Sequence, residues 1–201
     1  MTRGRCPLSL ARVAVASVLL AVLSLAVGRA AAEPPAPAPV DGKTAFERLK
    51  TLAGTWQGQA GHGPADQAAI VTYRVASGGS VVEETLFPGT PHEMISMYHL
   101  VDGELVLTHY CAMANQPRMR LDRKASTPDR LVFAFDGGTN FDPAMDTHIH
   151  AGVVEWKGES LHNVWTVYAG GKEAGQNQFV LARKREPTPP TRPRASSYPD
   201  R

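Results

Sequence analysis

The chain has 201 residues, 43% of them hydrophobic, with a formal net charge of +2. Four arginines (Arg3, Arg5, Arg12 and Arg29) and no acid fall before Glu33, so the remainder carries −2. That mildly acidic remainder gives no electrostatic ground for a nucleic-acid partner, and its single cysteine, Cys111, excludes an intramolecular disulfide within it.

Arg3, Arg5 and Arg12 form a basic start, Val13 to Val27 is an apolar run, and Ala30-Ala31-Ala32 has the small-x-small form of a signal peptidase site. Residues 1–32 therefore read as a signal peptide, and the protein is expected to be periplasmic or secreted. The apolar run is shorter than the roughly 20 residues of a spanning helix, a retained anchor being the alternative. No later segment is long and apolar enough to span a bilayer, so no membrane span is expected after cleavage. Residues 33–40 read as a proline-rich linker and residues 186–201 (EPTPPTRPRASSYPDR) as a disordered tail. Residues 41–185 are left as one domain with one core.

The domain opens with a helix predicted from Asp41 to Ala53. Thr44 and Glu47 fit a capping box, and Phe46, Leu49, Leu52 and Ala53 fall on one side. Gly54 ends it. Everything after reads as strands. The first begins at Thr55-Trp56, the second alternates through Ala69, Val71, Tyr73 and Val75, and the third is Val81 to Phe87. Glu93 to Cys111 supplies two more, folded back at Val101-Asp102-Gly103-Glu104, since Asp-Gly between alternating apolar runs is a strong hairpin signal. Arg118 to Lys124, Leu131 to Asp136, Thr147 to Trp156, Leu161 to Ala169 and Gln176 to Lys184 complete ten. Ten strands joined by short turns remove their exposed edges most simply by closing, so the fold class is all-β, an antiparallel up-and-down barrel with the helix covering one mouth. A two-sheet sandwich is the alternative.

The Asp102-Gly103 turn fixes the faces of its hairpin. Leu100 lies opposite Leu105, Tyr98 opposite Leu107 and Ser96 opposite His109, with Cys111 following opposite Met94. The leucines mark this face as the buried one, so His109 and Cys111 point inward. A turn at Lys157 to Ser160 similarly sets Trp156 against Leu161, Val154 against Asn163, Gly152 against Trp165 and His150 against Val167. His148 and His150 are then expected inside as well. Spacing of two on a strand puts side chains about 6–7 Å apart on one face. Imidazole and thiolate suit zinc, copper or iron, so His109, Cys111, His148 and His150 are candidate transition-metal ligands. The bland alternative is that each pair hydrogen-bonds to buried partners such as Ser96, Tyr98 or Asn163. One of Glu83 and Glu84, on opposite faces of the third strand, also points inward.

Leu52-Ala-Gly-Thr-Trp56-Gln-Gly58, a Gly-x-Trp on the first strand after a short helix, resembles the opening of calycin-type barrels. Lipocalins and nitrobindin-like haem barrels share that opening, and Gly-Thr-Trp-x-Gly is closer to the latter. The Leu-Thr-His-Tyr-Cys segment followed by Asn115-Gln116-Pro117-Arg118 resembles uncharacterised secreted bacterial proteins of the same barrel type. The resemblance implies a small hydrophobic or amphipathic ligand held inside. Trp56, Tyr98 and Trp165 would give contact area, and His109, Cys111, His148, His150 and Asn163 polar contacts. Haem, the cofactor of the nitrobindin-like members, is held through a histidine near the last strands; here it could fall only to His148 or His150.

Thiol catalysis by Cys111 with His109 lacks an oxyanion donor. Asp136 to Asp146 is spaced like a calcium loop without its final glutamate, and Asx turns explain that composition. Three readings stand: interior ligand binding, a metal- or haem-dependent barrel protein or enzyme, and an interaction protein with a packed core.

Overall fold

The computed structural model describes residues 39–61 and 67–185. The predicted signal peptide, most of the predicted linker and the predicted tail lie outside the described residues. One helix, α1 (Gly42–Lys50), is followed by ten strands: β1 (Gly54–Gly61), β2 (Gln67–Ala76), β3 (Val81–Leu86), β4 (Met94–Val101), β5 (Glu104–Tyr110), β6 (Gln116–Leu121), β7 (Arg130–Thr139), β8 (His148–Lys157), β9 (Ser160–Ala169) and β10 (Lys172–Arg183). Each strand pairs antiparallel with the next, and β10 returns to β1 through pairs from Trp56↔Arg183 to Gly61↔Gln178. The barrel is closed, as the turn lengths predict, and the sandwich is excluded.

The helix starts one turn earlier than the capping box suggests. Asp41 is the cap, its carboxylate accepting from the Thr44 amide at 2.9 Å and the Thr44 hydroxyl at 2.7 Å. A carboxylate satisfies two donors there where a threonine hydroxyl would satisfy one. Gly42 seats the helix against the β4–β5 hairpin: a Cβ at this position would strike the Gly103 carbonyl and the Leu105 amide. Phe46 and Leu49 are buried against the barrel, a stabilisation of roughly 1.5–3 kcal/mol for each side chain. Val40, just before the cap, also joins the core.

The hairpin itself follows its sequence pattern to the residue. Asp102 and Gly103 take φ of 51° and 84°, the left-handed pair of a type I′ turn. Ser96↔His109, Tyr98↔Leu107 and Leu100↔Leu105 are all cross-strand partners. On β6, Met119 and Leu121 are buried while Arg118 and Arg120 share Asp136 outside, at 3.1 and 3.2 Å.

Candidate functional site

Register alone puts four polar side chains in one row on the inner wall. Tyr73 on β2 pairs with Glu84 on β3, Glu84 with Ser96 on β4, and Ser96 with His109 on β5. Glu84 is the inward glutamate; Glu83 faces out to Arg74 at 2.6 Å. The fully buried Glu84 carboxyl accepts from Tyr73 (2.6 Å), Tyr98 (2.9 Å) and the Asn163 amide (3.1 Å), and that amide also donates to the Tyr73 hydroxyl at 2.8 Å. Burial raises the Glu84 pKa, against hydrogen bonds from Tyr73, Tyr98, Ser96 and Asn163 that hold it down. Burial, and then the adjacent Glu84 charge, push both phenols well above their ordinary value.

At the end of this row a cavity of about 400 Å³ opens at the mouth away from α1. Leu86, Phe87, Ile149, Val167 and Phe179 give it apolar walls, and the exposed His92 and Met113 stand on its rim. Phe87 reaches it because its φ of 52° breaks the strand alternation, setting its ring 5.7 Å from that of Phe179. Gln67, His92, Thr147 and Asn177 add polar side chains to the lining, and His109 and Trp165 join it with their rings stacked at 5.8 Å. Gly152 makes room for the indole, since a Cβ there would come within 2.7 Å of it. His109 Nδ1 and Ser96 Oγ share a hydrogen bond of 3.0 Å. Burial lowers the His109 pKa to about 4, so the ring is neutral at neutral pH.

Four buried side-chain polar atoms lack a hydrogen-bond partner among the described residues: His109 Nε2, Trp165 Nε1, Asn115 Oδ1 and Asn163 Oδ1. The first two belong to residues that line the cavity. Cys111 also lines it, its sulfur 4.0 Å from that of Met94. Burial raises the thiol pKa, opposed by the Met113 and Ala112 amides, so the thiol is not activated for nucleophilic attack.

The second histidine pair sits elsewhere. Between Ala151↔Thr166 and Ile149↔Val167 the β8–β9 register slips by one residue at a β-bulge. The extra residue reverses the alternation. Ile149 takes the inner position expected of His150, and His148 pairs with Tyr168 on the outer face. His148 is nonetheless fully buried, because an outer aromatic cluster covers it. Its ring lies 4.7 Å from Phe141, while His150 is stacked between Phe135 (4.5 Å) and Tyr168 (3.8 Å). His148 Nδ1 donates to the Asp146 carbonyl at 2.9 Å, which leaves its Nε2 to accept from His150 Nδ1 at 3.0 Å. Burial, and then His148, lower the His150 pKa.

The eight predicted site residues thus fall in four places. His109, Cys111 and Trp165 line the cavity; Tyr98 and Asn163 belong to the Glu84 network behind it. Trp56 is near α1, its indole donating to the Leu52 carbonyl at 2.9 Å under the Arg183 guanidinium. His148 and His150 are outside the barrel. Accordingly, no three or more His, Cys, Asp or Glu side chains among the described residues are grouped to hold a metal. Both His148 nitrogens are engaged, and the pair lies on the outer face of the barrel, so neither histidine is placed to ligate a haem held in the cavity. Glu93, Asp142 and Asp146 in the loops accept from backbone amides instead.

Sequence reading passed over Tyr73, Leu86, Phe87 and Phe179. Tyr73 and Phe179 were accessible from alternation, whereas Phe87 depends on a local left-handed residue that no periodicity signals. The cavity offers a mainly apolar volume with a few polar side chains on its wall, a form suited to holding a small molecule.

The chain matches no protein-family model, and no curated protein matches it in sequence.

Proposed function

We propose that this protein binds a small amphipathic molecule in the barrel cavity. The apolar part lies against Leu86, Phe87, Ile149, Val167 and Phe179, and the polar end meets polar side chains of the lining such as Gln67, His92 and Asn177. The observation that carries this reading is the cavity of about 400 Å³ at one mouth of the closed barrel, with apolar walls and a few polar side chains, Gln67, His92, Thr147 and Asn177 among them. The cavity size also lies within the range usual for small-molecule sites.

Titration with Nile red, an uncharged apolar dye, tests the reading. Saturable binding competed by decan-1-ol and weakened by Ile149→Trp, which fills the cavity, is expected. A folded protein that takes up neither molecule overturns it. Function outside the cytoplasm is the accompanying proposal, supported by the form of residues 1–32. N-terminal sequencing of protein recovered from a bacterial periplasm should begin at Glu33, and recovery only of intact, cell-associated chain beginning at Met1 refutes it.

A further inference from the structure

We propose that the open end of the β4–β5 hairpin, at the cavity mouth, is a site for a soft monovalent metal, copper(I), held by the Cys111 thiolate and the Met94 thioether. The proposal is independent of the ligand-binding reading above. The four ligands expected from the sequence are not assembled, because His148 and His150 turn outward. Cys111 has a different neighbour. Its sulfur lies 4.0 Å from that of Met94, and both residues line the cavity. A metal at a metal–sulfur distance of roughly 2.3 Å from each would see the two sulfurs about 120° apart, the angle of trigonal coordination. Two further donors belong to the same wall: Met113, two residues beyond Cys111, and His92, two residues before Met94. Both are exposed side chains of turns, so completing the set with either one disturbs no packed core.

The donors select the metal. Thioethers make this site, rather than the His, Cys, Asp and Glu side chains that fail to group among the described residues. Thioether sulfur is soft and uncharged, and soft sulfur ligands favour copper(I). One thiolate balances its single positive charge, which suits a mainly apolar cavity. No aspartate or glutamate lines that cavity among the described residues, so a zinc ion would keep an unbalanced charge there, at a cost in free energy. On binding, the S–H bond of Cys111 breaks and its electron pair forms the bond to copper. The proton passes to solvent, and no electron changes hands.

The test uses the full chain carrying Cys6→Ser, which leaves Cys111 as its one thiol. Copper(I) is titrated without oxygen against bicinchoninate, a coloured chelator. The protein should withdraw one copper ion per chain, and Cys111→Ser should abolish the withdrawal. Met94→Leu conserves volume and should fold. It should weaken binding by at least the roughly tenfold lost when even a neighbour of a ligand is removed. Zinc offered at the same concentration should not stay with the protein through gel filtration. Copper left wholly with the chelator overturns the proposal. Copper held equally by Met94→Leu does so too, since an isolated thiol would then account for it. Retention of zinc alongside copper overturns the choice of metal. Uptake of Nile red is unaffected by any of these results, so the two readings fail separately.

Discussion

Two histidine sites in this barrel have nearly the same local pattern and opposite surroundings. On β5 and just beyond it, His109 and Cys111 follow a regular hairpin inward, and both line the cavity, with one His109 nitrogen buried without a partner. On β8, His148 and His150 flank Ile149 in the same spacing, but a one-residue bulge turns the pair to the outer wall. There, the Asp146 carbonyl, Phe135, Phe141 and Tyr168 satisfy and cover them. The inner histidine keeps a buried nitrogen without a partner, while the outer pair is bonded together and packed among aromatic rings. Spacing of two therefore identifies side chains on a common face of a strand; it does not identify which face.

The largest effect should come from the support behind the inner site. Glu84→Ala leaves two phenols and an amide without their acceptor and is expected to cost roughly 3–5 kcal/mol, read as a fall in the denaturant midpoint. A change below about 1 kcal/mol would mean that the row is not held by its carboxyl.

A smaller effect follows from His109. Its pKa is lowered from 6.5 to about 4 in the folded state. The unfolded chain thus binds the proton more readily, and the stabilising contribution, complete above about pH 6.5, is lost as pH falls toward 4. At 1.36 kcal/mol per pKa unit this amounts to about 3 kcal/mol. Glu84 acts with the opposite sign, because its raised pKa makes the folded state take up a proton first. The difference between the unaltered protein and His109→Phe isolates the histidine: its stability profile should lose this acid-side fall, and parallel profiles would contradict the assignment.

The smallest effect belongs to the outer cluster. His148→Ala removes a covered ring and two hydrogen bonds and should cost about 2 kcal/mol, with decan-1-ol affinity unchanged within twofold. Affinity falling with stability would show that the two histidine sites are not independent.

Legibility in the sequence divides along the same line. Strand order, closure and every pair of the central hairpin follow from turn chemistry and alternation, because Asp102-Gly103 fixes a register that nothing interrupts before Tyr110. The β8 error begins where alternation fails. Up to Gly152↔Trp165 the expected pairs match those in the barrel; one extra residue between Ile149 and Ala151 then inverts the rest. A bulge has no composition of its own, and Ile149 beside two histidines gives no warning of it. Glu84 was close to a tie for a different reason. Val82 and Leu86 flank it on one face of β3, and Val81, Thr85 and Phe87 share the face of Glu83, so apolarity favours the Glu84 face only weakly. The choice is made by Tyr73, Tyr98 and Asn163, which belong to three other strands.

Closure through β1 and β10 has a kinetic consequence. Trp56 and Arg183 are partners although 127 positions separate them, so the last seam can form only when nearly the whole domain is available. Neighbouring hairpins can assemble early, but the sheet keeps two open edges until β10 arrives. During translation and any passage across a membrane, the vulnerable species is therefore a nine-stranded sheet awaiting its final strand. A chain truncated before Lys172 would remain in that sticky, unsealed form however sound its other turns.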